Sequence, residues 1–220
     1  MTIATATPRD FAPLTPTMVL ASHNAGKLRE IRALLEPLGL RVIDAGEAGV
    51  DEPEETGITF IANAELKARY SASKTGLCAL ADDSGLVVDG LGGAPGIYSA
   101  RWAGEKKDFT MAMHRVHEEL LHAGVEPRGA KAHFVCALSI AWPGGTCLSV
   151  QGEVHGSLSF PPRGDKGFGY DPIFVASGMG QTFAEIDPAA KHAMSHRADA
   201  FTKLTGALAQ YHLLPTGTTP

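Results

Sequence analysis

Four acidic residues stand where a cation could be held. Asp82 and Asp83 follow LCALA, residues 77–81, a continuous apolar run that reads as a buried strand. Open α/β sheets present ligands beyond the ends of such strands. Glu54 and Glu55 lie in an acidic, turn-rich stretch, residues 46–59 (GEAGVDEPEETGIT). Carboxylates alone would repel an anionic ligand. Mg2+ between them, bound through one or two carboxylates plus substrate oxygens and waters, reverses that. Without such a ligand the same stretch reads as a solvated acidic loop.

Phosphate-binding features lie elsewhere in the chain. Residues 22–27, SHNAGK, connect the apolar MVLA to a helical pattern. A strand that turns through small residues into a helix leaves backbone N–H groups free at the helix start, and these donors with the helix dipole attract phosphate. Lys27 adds a point charge. The run is not a Walker A loop, because Ala21 and Leu28 stand where that motif needs Gly and Ser or Thr. Further on, Asn63 and Lys67 are four residues apart and share one helix face.

Two later stretches have the chemistry to read a base. In GDKGFGYDP, residues 164–172, the glycines allow close backbone approach. Phe168 and Tyr170 there offer aromatic faces on which a base can stack. KHAMSHR, residues 191–197, supplies the donors Lys191, Ser195, His196 and Arg197 just before the last helix. Cations are disfavoured at a helix N-terminus, which points to a bound acceptor. His114 and His117 are three apart on a helix but have no third ligand, and they read as a solvated face. No GxSxG elbow or Ser-His-Asp arrangement is legible.

The elements that must position these groups alternate along the chain. MVLA (18–21) reads as a strand, residues 27–38 as a helix ended by Pro37 and Gly39, and residues 40–44 as a second strand. A helix over 60–74 has Thr59 as its N-cap, with Ala62 where a capping box would have Glu. The strand at 77–81 ends at Asp82, and LVVD (86–89) continues extended. A helix opens at Asp108 and runs to about 123. AHFVCALSIAW and TCLSVQGEV, joined by PGG, form a hairpin. A short strand, IFVA, and a helix over 197–212 complete an α/β pattern with a mixed sheet.

The 220 residues suffice for one large domain or two packed lobes. A net charge of −5 lacks the basic surplus of a duplex-binding protein, and no run approaches the ~20 apolar residues of a membrane span. Cys78, Cys136 and Cys147 form no CxxC pair, which suits buried thiols in a reducing cytoplasm. Residues 1–17 are rich in Thr, Pro and Ala without a signal-peptide core. They read as a flexible extension to a domain over 18–213, with a frayed tail at 214–220.

In order along the chain, SHNAGKLREI, EETGITFIANAELKA, ADDSGLVVDGLGGAPGIYSARWAG, GFGYDPIF and KHAMSHR resemble the inosine triphosphate pyrophosphatase family, the Ham1-like dITP/XTP pyrophosphatases. The resemblance spans Met18 to about Leu213. It implies an elongated two-lobed α/β fold around a long twisted mixed β-sheet with a central active-site cleft, usually as a homodimer. It implies hydrolysis of non-standard purine nucleoside triphosphates to the monophosphate and pyrophosphate.

Residue by residue, the resemblance implies phosphate contacts from Ser22, His23, Asn24, Ala25, Gly26 and Lys27, and from Asn63 and Lys67. Glu54 and Asp83 match magnesium-binding acids, with Glu55 and Asp82 close by, and Asp83 also matches a proton acceptor. Ser84 matches a substrate contact. Phe168, Gly169, Tyr170 and Asp171 match the nucleobase pocket with Lys191, His196 and Arg197. Ala62 and Ala198 depart from the family's usual Glu and Gly. Two other readings are a Maf-like nucleotide pyrophosphatase with another base preference and a nucleotide-binding module without turnover.

Overall fold

The computed structural model describes residues 2–4, 11–22 and 25–214. Its strands are β1 (Thr2–Ala4), β2 (Thr17–Leu20), β3 (Arg41–Asp44), β4 (Ala79–Val88), β5 (Lys131–Ala141), β6 (Cys147–Leu158) and β7 (Phe174–Ala176). Its helices are α1 (Ala25–Leu35), α2 (Phe60–Thr75), α3 (Ser99–Trp102), α4 (Phe109–His122), α5 (Pro188–Met194) and α6 (His196–Gln210).

The strands form one mixed sheet in the order β1-β6-β5-β4-β2-β3, with β7 also pairing to β6. β2 is parallel to both β3 and β4. Such pairs need long connections, which α1 and α2 provide. β5 and β6 are neighbours joined by a tight turn, closed by Trp142 N donating to Thr146 O at 3.0 Å. β1 and β7 each run antiparallel to β6.

Local chemistry sets the helix ends. Thr59 Oγ1 accepts from Ala62 N at 3.1 Å, so the cap of α2 forms without a Glu side chain at 62. Gly76 ends that helix at φ 69°, its N–H donating to Ala72 O. Asp108 caps α4 by accepting from Met111 N at 3.1 Å.

The chain divides into two compact units. The first comprises Met1–Asp83, Cys136–Gly152 and Asp199–Pro220. Its core joins Leu20 and Leu80 of the sheet to Ile31 and Leu35 of α1 and Leu204 and Leu208 of α6. The second comprises Ser84–Val135 and Glu153–Ala198. Here Ala112, Met113, Val116 and Leu120, at helical spacing on α4, pack with Leu86, Phe134, Phe174 and Phe183. Among the described residues no helix is long and apolar enough to cross a membrane.

Two expectations are corrected. Residues 11–17 are not a free extension. Phe11 and Leu14 are buried, the Phe11 ring lies 4.9 Å from that of Trp142, and Leu14 N donates to Leu213 O at 2.8 Å. The partners of these apolar residues lie far along the chain, where local composition cannot reveal them. Leu214, expected in the tail, also packs against this core, and the rest of that tail lies outside the described residues. The strand expected to end at Asp82 instead continues to Val88. Both aspartates are buried within it, each facing a lysine that offsets the cost of burying its charge.

Candidate active site

In the first unit, β4 carries Asp82 and Asp83 toward lysines from two helices. Lys27, in the first turn of α1, lies 2.9 Å from Asp82 Oδ2. A lysine there opposes the helix dipole, and the buried aspartate compensates. Lys67, on the buried face of α2, lies 2.7 Å from Glu55 Oε1 and 3.8 Å from Asp83 Oδ1. Asn63, one turn earlier on that face and fully buried, donates to Asp83 Oδ2 at 3.1 Å. Its own Oδ1 accepts from Gly57 N at 2.8 Å. A Cβ at Gly57 would come within 2.5 Å of Asn63 Oδ1, so glycine is what lets the acidic loop approach the start of α2 so closely.

Burial drives the Asp83 carboxyl up to about 6, against the opposing pull of Lys67 and Lys27. Burial would lower the Lys67 ammonium, but Asp83, Asp82 and Glu55 outweigh it and hold it above the usual lysine value. Asp83 is thus a carboxylate whose proton affinity suits exchange near neutrality. Among the described residues no three of His, Cys, Asp and Glu gather to hold a metal by themselves. Glu55 and Asp83 do, however, face one shared cation, the Lys67 ammonium. Glu54 is exposed. Ser22 is buried just before α1, Ala25 and Gly26 open that helix, and His23 and Asn24 lie outside the described residues.

The second unit assembles another constellation. Arg197 Nη2 donates to Ser84 Oγ at 3.1 Å. The Arg197 guanidinium and the Lys191 ammonium both sit over the Phe168 ring, 5.2 and 4.8 Å from its centroid. Asp171 Oδ2 accepts from Lys191 Nζ at 2.6 Å and from Phe168 N at 2.8 Å. Burial raises the Asp171 carboxyl in spite of Lys191. Gly167, at φ 75°, has no room for a side chain because a Cβ would strike the Asp171 carboxylate. Lys191 belongs to α5, and Ser195 caps α6 by accepting from Ala198 N at 3.2 Å. The cap needs only the backbone of residue 198, and Ala supplies it as Gly would.

Four residues of these stretches make local contacts or turns that spacing alone does not show. Tyr170 is a core residue. Its ring meets Phe109 edge-on at 5.4 Å, and its hydroxyl, pushed up by burial, donates to Ser99 O at 2.9 Å. Gly169, at φ 69°, makes the turn between Phe168 and Tyr170. His196 stacks on Phe134 at 4.9 Å with 17° between the rings. Ser99, buried within the GAPGIYSARW stretch, had no assigned role, and nothing in its type or spacing could have marked it.

The model of the Ham1 family matches residues 18–207. A protein of Zymomonas mobilis named dITP/XTP pyrophosphatase is 60% identical over 190 residues, covering 86% of this chain and 90% of its own. One of Rhodospirillum centenum with the same name is 59% identical over 197 residues, covering 90% and 96%. The solved structure of a HAM1 protein from Coxiella burnetii superposes with a TM-score of 0.81 at 41% identity, covering 88% of this chain and 98% of that one. That of a nucleoside-triphosphatase, dITP/XTP pyrophosphatase, from Mycobacterium abscessus gives 0.70 at 40% identity, covering 86% and 98%.

Proposed function

The chain belongs to the Ham1 family, and on that premise we propose a role for each part of its two constellations. It hydrolyses non-standard purine nucleoside triphosphates, ITP, dITP and XTP, to the monophosphate and pyrophosphate. The observation that carries the residue assignment is the buried Asp83 carboxylate, fixed by Asn63 at 3.1 Å and facing Lys67 at 3.8 Å.

Asp83 orients and deprotonates the water that attacks the α-phosphorus. Lys27 and Lys67 stabilise the charge that builds on the departing pyrophosphate. Ser22 and the backbone donors at the start of α1, with the adjoining His23 and Asn24, hold the phosphate oxygens. Asn63 keeps Asp83 in one orientation while the proton moves. The oxygen donor set fits Mg2+: Glu55 and Asp83 already share a cation in Lys67, and a magnesium site takes few protein ligands. Glu55 and Asp83 would hold the ion, with the exposed Glu54 and the Lys27-bound Asp82 beside them. When bound, it supplies charge neutralisation and polarises the α-phosphate.

Phe168, with Arg197, Lys191 and Ser84, forms the base-reading set, and Asp171 holds Lys191 and the Phe168 backbone in place. The reaction belongs in the cytoplasm, with the nucleotide pool and three reduced, buried cysteines, and the working unit is a homodimer. The test is pyrophosphate release from a panel of ITP, dITP, XTP, GTP and ATP with Mg2+. Equimolar pyrophosphate and monophosphate from the first three is expected. Orthophosphate as the only product, or no turnover, would overturn the reading.

A further inference from the structure

The base-reading set of the second unit is closed into a ring by Ser99, which takes no direct part in it. The Ser99 Oγ accepts from Leu86 N at 2.9 Å and donates to Gly96 O at 2.7 Å. Its backbone oxygen accepts from the Tyr170 hydroxyl at 2.9 Å. Leu86 is two residues beyond Ser84. The residue between them, Gly85, packs so tightly that a Cβ would fall on both Gly96 O and Ser99 Oγ. Tyr170 in turn adjoins Asp171, the residue that fixes Lys191 and the Phe168 backbone. The ring closes where Arg197, over Phe168, donates to Ser84 Oγ.

We propose that Ser99 is a positioning residue for base selection, locking the Ser84–Leu86 stretch of β4 to the Phe168–Asp171 loop so that Arg197 and Lys191 stay aimed at the base. This rests on the base-reading assignment given above. Leu86 N lies in a strand, yet its proton is received by a side chain, so removing that hydroxyl strands a buried donor. The strand then shifts to find another acceptor, and Ser84 moves with it. Selectivity built on aimed donors is lost by such small displacements, because the rejected base no longer leaves a buried group unpaired. The Tyr170 hydroxyl serves the same lock from the loop side.

The experiment compares kcat/KM for ITP and GTP in the unmodified protein, Ser99→Ala, Tyr170→Phe and Arg197→Ala. Merely structural damage lowers the active fraction and scales both substrates alike, leaving their ratio unchanged. Positioning predicts that the ITP-to-GTP ratio falls about tenfold in Ser99→Ala, and in the same direction but less in Tyr170→Phe. An unchanged ratio in Ser99→Ala overturns the inference whatever Arg197→Ala does. An unchanged ratio in Arg197→Ala overturns the base-reading role of that side chain whatever Ser99→Ala does. Should Ser99→Ala fail to fold, Tyr170→Phe, which loses one oxygen and keeps its shape, decides the matter on the same ratio.

Discussion

Asn63 donates to Asp83 Oδ2 at 3.1 Å, and both residues are buried in the first unit. The other end of the amide accepts from Gly57 N at 2.8 Å, so the acidic loop and the carboxylate together fix which way Asn63 points. The carboxylate proposed as the proton acceptor is therefore oriented through a chain that starts at a glycine.

Gly57→Ala should break that chain. Its Cβ would lie 2.5 Å from Asn63 Oδ1 and 2.9 Å from Asn63 N, too close to be accommodated without moving the loop or the start of α2. The variant should fold, since Gly57 belongs to none of the hydrophobic core clusters, and its kcat should drop by roughly tenfold or more as Asp83 loses its fixed orientation. A kcat within twofold of the parent, from steady-state pyrophosphate release, would show that Asn63 needs no such support.

Asp83→Asn separates catalysis from stability. Losing a general base costs about 10²–10⁴-fold in rate. The stability effect runs the other way. Burial raises this carboxyl from 3.8 to about 6, against the pull of Lys67, so the folded state binds the proton more tightly than the unfolded one. Its contribution is favourable below pH 3.8 and is lost as pH rises through about 6. Above that the buried charge costs at most about 3 kcal/mol. Asn removes this cost, while Lys67 keeps Glu55 as its partner at 2.7 Å. The metal-free variant at pH 7.5 should therefore melt no lower than the parent. A clear fall in Tm there, or near-normal turnover, contradicts the assignment.

A divalent cation should be required for turnover and should also stabilise the resting protein. After metal stripping, chelator should abolish pyrophosphate release and Mg2+ should restore it. A ligand that binds only the folded state at 100 times its Kd adds about 2.7 kcal/mol, so Mg2+ should raise Tm without nucleotide, and less so in Asp83→Asn. Full activity in excess chelator would remove the metal from the scheme.

Much of this was legible because it is local. Thr59 and Asp108 announce their helices by side chains that each reach three residues on. The i, i+4 spacing of Asn63 and Lys67 places both beside Asp83. What stayed hidden depends on partners distant in the chain. Phe11 is buried by Trp142 and Tyr211. β4 runs on through two aspartates because lysines from α1 and α2 meet them. Spacing also could not separate Glu54 from its neighbour, yet only Glu55 is turned toward Lys67. The tie of the Tyr170 hydroxyl to Ser99, 71 residues away, is likewise invisible to spacing.

The last prediction concerns the base: ITP, dITP and XTP should be hydrolysed far faster than GTP or ATP. Lys191 and Arg197 flank Phe168, and both can only donate. Hypoxanthine and xanthine present an oxygen at position 6 and can accept there. Adenine presents an amino group, which would set donor against donor. Guanine accepts at position 6 but carries an amino group at position 2, where xanthine has an oxygen and hypoxanthine only hydrogen. A second donor aimed at position 2 therefore accommodates both substrates and leaves guanine with an unpaired buried group. Sites built around such hydrogen bonds discriminate by up to about 10⁴–10⁵. Two cations flank one ring, so a donor for each position is available, and Arg197 is further anchored on Ser84 Oγ. Arg197→Ala should flatten the preference, with the GTP-to-ITP ratio of kcat/KM rising by about tenfold or more. Sugar preference should stay slight, because among the described residues of either constellation none is assigned to the 2′-hydroxyl. Equal kcat/KM values for ITP and GTP in the unmodified protein would refute base reading altogether, whereas an unaltered preference in Arg197→Ala would move the role to Lys191 or to backbone donors.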